Sequence, residues 1–133
     1  MYLIIVGAGP IAKQLISLAL ERGHKVAVIE QNVERARNIM QEFDVSIFQA
    51  DIAKGNILQE AKVEQADAII ATTKDDSINL MTMILGKQYG VKHLITLLQE
   101  KEHQTMFEKL DIQVLSNPEK LIADRLYSFI DRD

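Results

Sequence analysis

Six short apolar runs punctuate this chain, and none of them alternates with polar residues. They are Leu3–Val6, Val26–Ile29, Val45–Phe48, Ala68–Ala71, Leu94–Leu98 and Ile112–Leu115, mostly β-branched residues or leucine. A strand with one face in water alternates apolar and polar side chains. An unbroken run needs cover on both faces, as in a parallel sheet flanked by helices. The gaps between the runs read as those helices. Ile11, Leu15, Leu18 and Ala19 fall on one stripe of a 3.6-residue period, and Gly23 ends that helix from the C′ position. Val33, Ala36, Met40 and Phe43 give the next stripe, and Lys54 to Lys62 a shorter helix. Asp75 or Asp76 caps a helix that runs to about Tyr89 and is closed by Gly90. Lys101 to Leu110 and Pro118 to Ile130 complete the set, the last opened by Asn117 as cap and Pro118 at the first helical position.

Strand followed by helix, six times over, defines an α/β fold. Right-handed crossovers wind such a chain both ways from its first strand. The expected product is a Rossmann-like doubly wound parallel six-stranded sheet, order 3-2-1-4-5-6, with helices on both faces and a ligand crevice beyond the carboxyl end of the first strand. The 133 residues suit a single domain, 1–133, whose last helix (about 118–130) serves as an assembly or linker element. That helix carries Leu121, Ile122, Leu126, Tyr127, Phe129 and Ile130, more apolar surface than one buried stripe requires. The helix from Ile78 to Leu85 is apolar nearly all round, and its surplus suits a protein contact face.

The turn out of the first run is Gly7-Ala8-Gly9-Pro10-Ile11-Ala12. Gly7 permits a sharp turn, and Gly9 carries no side chain to block a ligand close to the backbone. The helix that follows begins with unpaired amides and a partial positive charge, which together suit a pyrophosphate. Pro10 is tolerated at the first helical position but removes one donor, and Ala12 fills a slot where small residues allow close helix–strand packing. Glu30 ends the second run about 20 residues beyond Gly9, where a carboxylate accepts hydrogen bonds from ribose hydroxyls and repels a 2′-phosphate. Gln31 and Asn32 bring no charge to offset it, and Arg35 reads as a surface helix residue. NAD(H) or an adenine nucleotide (ATP, ADP or AMP) is therefore expected over NADP(H). Asp51 and Ile52 follow the third run, with Asp51 either reaching an adenine edge or capping the next segment. Thr72 and Thr73 follow the fourth run beside the switch point, where their hydroxyls can meet phosphate, ribose or nicotinamide. Asn79, one turn further, faces either the crevice or water.

Composition removes other classes. Net charge is -4 with lysine and arginine scattered, so no nucleic-acid surface is expected. No run is long enough to insert into a membrane, and Leu3–Val6 is too short for a signal peptide, which makes the cytoplasm the expected location. Cysteine is absent, so there is no thiol nucleophile and no thiolate metal site. His24 sits beside a turn, His93 starts the fifth run and His103 falls on a predicted helix surface. None has an Asp or Ser at triad spacing, so neither a catalytic set nor a metal site is expected.

The glycine turn, Glu30, Ala50-Asp51-Ile52-Ala53, Ala71-Thr-Thr-Lys-Asp-Asp-Ser-Ile-Asn79, and the tail Glu102-His103, Phe107-Glu-Lys-Leu110 and Ser116-Asn-Pro-Glu119 together resemble the RCK N-terminal domain, also called TrkA-N or KTN. The resemblance implies a regulatory module that binds NAD(H), ATP or ADP at the cytoplasmic side of a potassium channel or transporter. It also implies assembly as dimers or larger rings. Carried over by position, Gly7, Gly9, Glu30, Asp51 and Thr73 become nucleotide contacts. Pro10 stands where members often carry Arg, Ala50 where Gly is usual, and Leu97 where an Arg is often found. Members commonly continue into a C-terminal ligand-binding subdomain, so a chain ending at Asp133 reads as a truncated or minimal member. The alternative reading of the same turn is the cofactor-binding half of an NAD- or FAD-dependent oxidoreductase, whose catalytic residues would lie beyond Asp133.

Overall fold

A computed structural model describes residues 1–131, so the expected domain end at 133 lies outside the described residues. The strands are β1 (Tyr2–Val6), β2 (Lys25–Glu30), β3 (Ser46–Gln49), β4 (Ala68–Ala71), β5 (His93–Leu98) and β6 (Gln113–Ser116). They form one parallel sheet in the order β3-β2-β1-β4-β5-β6, so the chain crosses from one edge to the centre between β3 and β4. The helices are α1 (Pro10–Glu21), α2 (Val33–Glu42), α3 (Ile57–Glu60), α4 (Asp76–Gln88), α5 (Gln104–Glu108) and α6 (Pro118–Ser128).

Successive strand residues serve opposite layers, as the two-residue repeat requires. Leu3, Ile5, Val26 and Val28 pack with Ala12, Ile16, Ala19 and Ile39 of α1 and α2. Ile4, Val6, Ala27, Ile29 and Ile69 pack with Ile57 and Leu58 of α3 and Met83 of α4. Each fully buried Ile or Val contributes about 1.5–3 kcal/mol relative to exposure. Both faces being covered explains the unbroken apolar runs.

The helix faces differ from the expected stripes. In α1 the buried residues are Ala12, Ile16 and Ala19, while Ile11 and Leu18 are exposed. In α2 Ala36 and Ile39 are buried, and Val33 and Met40 are exposed. The contact line of each helix alternates small with large, Ala12 and Ala19 around Ile16 in α1 and Ala36 beside Ile39 in α2, and the other bulky residues fall outside it. The expected helix from Lys54 to Lys62 contracts to α3, followed by a 3₁₀ turn over Val63–Gln65. The expected helix from Lys101 splits into a 3₁₀ turn over Lys101–His103 and the short α5. Gly86 lets α4 lie against β4 and β5: a Cβ there would stand 2.5 Å from Leu94 Cδ2 and 3.1 Å from Ile69 Cδ1. The side chains are exposed from Glu119 onward, including Leu126 of α6 and Ile130 just beyond it.

Candidate functional site

At the centre of the sheet β1 is flanked by β2 and β4, with Val6 beside both Ile29 and Ala71. The Gly7 amide donates to Ile29 O at 2.9 Å, the last rung on that side. The chain then turns sharply at φ +113°, a conformation glycine tolerates and an L side chain resists. A Cβ on Gly7 would stand 2.5 Å from Thr72 Oγ1, so Gly7 is required by packing as well as by torsion.

Gly9 differs. Its φ of −81° and ψ of −170° suit any residue, and a Cβ there would meet no atom within 4 Å. Nothing inside the protein calls for glycine at this position; its effect is to leave the space in front of α1 open. Gly9 is the N-cap of a twelve-residue helix and makes no side-chain cap, and no acidic residue lies in the first turn. The first intrahelical bond is Lys13 N to Gly9 O at 3.0 Å. Amides ahead of it, at Ile11 and Ala12, have no carbonyl within the helix to reach.

This helix start opens into a crevice of about 450 Å³, within the range of small-ligand sites. Of the residues singled out from sequence, Gly7, Ala8, Gly9, Pro10, Ile11, Glu30, Gln31, Ile52, Thr72 and Thr73 line it. Asp51 does not; its Oδ1 accepts from Ala53 N at 2.9 Å in a tight turn, and it does not cap the next helix either, since α3 begins at Ile57 with Asn56 as its N-cap. Arg35, expected on an outer helix surface, lines the crevice at the Glu30 end. Lys74, Gln99 and Glu119 line it too and went unnoticed in the sequence, because three separate strand ends bring them there. Glu30 is half-buried, and its Oε2 accepts from Asn32 N at 2.8 Å.

On the other side of the turn, β4 ends in a hydrogen-bonded network. Thr72 Oγ1 donates to Val6 O at 3.0 Å. Asn79 of α4 is fully buried and faces neither crevice nor water. Its Nδ2 donates to Thr73 O at 3.0 Å and to Leu97 O at 3.1 Å, tying the end of β4 to the end of β5. Thr73 Oγ1 faces two acceptors for its proton, Asn79 Oδ1 at 2.6 Å and Asp75 O at 3.1 Å, and accepts from Asp75 N at 3.2 Å.

The two aspartates that open α4 divide their work. Asp75 is the cap, with Oδ1 accepting from Ser77 N at 2.9 Å and Ile78 N at 3.3 Å. Asp76 is buried instead and accepts from Gln99 N at 2.8 Å, Glu100 N at 2.9 Å and the His103 ring at 2.8 Å. Burial raises the Asp76 pKa, but these donors outweigh it and the net shift is downward. The Asp76 hydrogen bond raises that of His103. His103 therefore has an aspartate partner, contrary to the expectation of an isolated surface histidine. Among the described residues no group of three or more potential ligands gathers in a way that could hold a metal ion.

Comparison with known proteins adds three findings. The family model of the TrkA-N domain matches residues 3–118. A Trk system potassium uptake protein TrkA homolog of Methanothermobacter thermautotrophicus is 30% identical over 132 residues, covering 99% of this chain and 61% of its own length. Among solved structures, the NAD(P)-binding domain of an exopolyphosphatase-related protein from Archaeoglobus fulgidus superposes with a TM-score of 0.81 at 17% identity, over 98% of both chains. The GsuK channel bound to NAD superposes at 0.76 and 21% identity, over 86% of this chain and 21% of that one; the same channel is also known bound to ADP. At these identities the structural matches speak for the Rossmann-like fold alone. The chain spans about three-fifths of the curated relative described.

Proposed function

We propose that this chain, which belongs to the TrkA-N domain family, is a regulatory module that binds NAD(H) or an adenine nucleotide (ATP, ADP or AMP) and gates a potassium channel or transporter. One observation carries the reading: a long helix starts at the switch point of the sheet with its first amides uncapped, behind a glycine whose missing side chain serves nothing within the protein. A diphosphate fits there. Glu30 stands where a ribose hydroxyl would donate, and the names of the relative and of the ligand-bound channel point to the same class of ligand and partner.

In this reading the chain binds and does not catalyse. The pair of His103 with Asp76 fastens the β5 end to α4 outside the crevice. The module acts at the cytoplasmic side of a membrane partner; among the described residues no helix is long and apolar enough to cross a membrane. The exposed apolar residues of α6, with Met81 and Ile84 of α4 and Met106 of α5, form the surface on which copies of the chain assemble into dimers or rings. A ligand shifts such an assembly only by its differential affinity for two arrangements. Reversing a 1:99 population needs about 5.5 kcal/mol, which linked subunits share. The test is calorimetric titration of the purified chain with NADH, NAD⁺, ATP and ADP. Micromolar binding of at least one supports the reading; failure of all four below millimolar concentration overturns it.

A further inference from the structure

Two cations line the crevice, and the protein itself uses neither. Arg35 stands at the Glu30 end and Lys74 at the end of β4, both with exposed side chains. Among the described residues neither is ion-paired; the pairs formed are Lys13 with Glu42, His103 with Asp76 and Lys120 with Asp124. The acids beside Lys74 in sequence are committed elsewhere. Asp75 caps α4 through Ser77 N and Ile78 N, and Asp76 is buried against Gln99 N, Glu100 N and the His103 ring. Glu119, which lines the crevice from the start of α6, is met by the Gln99 amide, whose nitrogen donates to Glu119 Oε2 at 3.2 Å. The backbone that carries Lys74 is fastened on both sides. Thr73 O accepts from Asn79 Nδ2 at 3.0 Å, and Asp75 N donates to Thr73 Oγ1 at 3.2 Å. An ammonium group thus projects from a fixed point on the rim. The α1 side brings no cation of its own: Lys13, the first basic residue of that helix, turns to Glu42 at 3.9 Å.

We propose that Lys74 is a ligand-contacting residue that gives the crevice a preference for a nucleoside triphosphate over the diphosphate. This rests on the nucleotide reading above and deepens it. With its sugar at Glu30 and two phosphates at the start of α1, a nucleotide that continues further reaches the end of β4. A third phosphate brings negative charge to the Lys74 ammonium there, and ADP ends short of it. NAD⁺ places a second ribose and a cationic nicotinamide ring beyond its diphosphate, which gain nothing from a positive charge. Lysine acts on phosphate as a point charge on a flexible stem, so the contact demands no fixed angle.

The experiment titrates the full chain with ATP, ADP and NAD⁺ in magnesium-free buffer, at low and at high salt, in the wild type and in Lys74→Gln and Lys74→Arg. Wild type is expected to bind ATP about tenfold tighter than ADP, the lower end for a hydrogen bond between charged groups because the lysine is exposed. Lys74→Gln brings ATP to the level of ADP and leaves ADP and NAD⁺ within about twofold of wild type. Lys74→Arg keeps the preference for ATP. High salt contracts that preference in wild type and has little left to contract in Lys74→Gln, a pattern that a structural defect does not reproduce. Wild type binding ATP no tighter than ADP, or equal weakening of ATP and ADP in Lys74→Gln, overturns the inference while leaving the nucleotide reading intact. A wild type that binds none of the three overturns that reading and the inference with it.

Discussion

Replacing each of the two turn glycines by alanine separates what the fold needs from what a ligand needs. For Gly9→Ala the backbone is already extended and no atom lies within 4 Å of the new Cβ. Losing a glycine from the unfolded chain stabilises by about 0.4–1 kcal/mol. Alanine is a poorer N-cap than glycine by a similar amount, about 0.5–1 kcal/mol. The two effects nearly cancel, and the melting temperature should stay within about 3 °C of wild type. Binding should respond differently. The methyl group stands where an anion must approach the Ile11 and Ala12 amides, and each hydrogen bond to a charged group is worth about 1.5–3 kcal/mol. Losing one such bond weakens NAD⁺ and ADP by about ten- to a hundredfold. For Gly7→Ala the order reverses. A φ of +113° costs an L residue about 1–3 kcal/mol. The Cβ placed 2.5 Å from Thr72 Oγ1 adds an overpacking cost of about 1–3 kcal/mol. The melting temperature should fall by about 10 °C. Differential scanning calorimetry and isothermal titration on the same preparations decide the matter. If Gly9→Ala binds both nucleotides as well as wild type, no diphosphate lies at the start of α1. If it melts as low as Gly7→Ala, its glycine serves packing and the reasoning fails.

Two other perturbations address charge. Glu30→Arg removes the ribose acceptor and places a second cation near Arg35, so NAD⁺ should weaken and NADP⁺ gain, by about tenfold in their ratio; competition titrations giving an unchanged ratio would rule out a ribose at that end. His103 is held above its ordinary 6.5 chiefly by its hydrogen bond to Asp76, with the charges of Asp76, Glu102 and Glu100 adding to this and burial opposing it. A raised folded value means that the contribution is complete below the unfolded pKa and lost as pH rises through the folded one. The melting temperature should therefore drift down in wild type as pH rises above the ordinary 6.5 and lose that drift in Asp76→Asn, where the His103 NMR titration also moves down. The drift is small because the imidazole is 37% exposed. Asp76 itself behaves oppositely: its lowered pKa gives stability present above the unfolded value and lost as pH falls through the folded one.

The sheet was legible because burial on two faces leaves a mark at every position of a strand. The six runs fall within a residue or two of the strands formed, and the order around β1 is the one expected of right-handed crossovers wound both ways from the first strand. Helix faces were harder to read for a physical reason. In α1, Ile11, Leu15, Ile16, Leu18 and Leu20 offer two overlapping stripes, and hydrophobicity favours the large residues. The contact is made by Ile16 with Ala12 and Ala19 on either side, two small residues that hydrophobicity alone does not pick out. Gly86 is the same case in α4, a residue with no apolar signal that marks the closest approach of helix to sheet.

The crevice was legible in its local part only. A glycine turn and a strand-end carboxylate are features of adjacent residues, and the centre and one end of the crevice follow from them. The roles of Asn79 and His103 depend on partners 18 and 27 residues away, Leu97 and Asp76, which no spacing in the sequence announces. The crevice rims carry the same lesson. The first amides of α1 stand at its centre, Glu30 and Arg35 line it on one side, and Thr73 and Lys74 line it on the other. Each rim thus sets a cation beside an oxygen acceptor. The glycine turn and Glu30 announce only part of this, because Arg35 enters from α2 and Lys74 from the turn that follows β4.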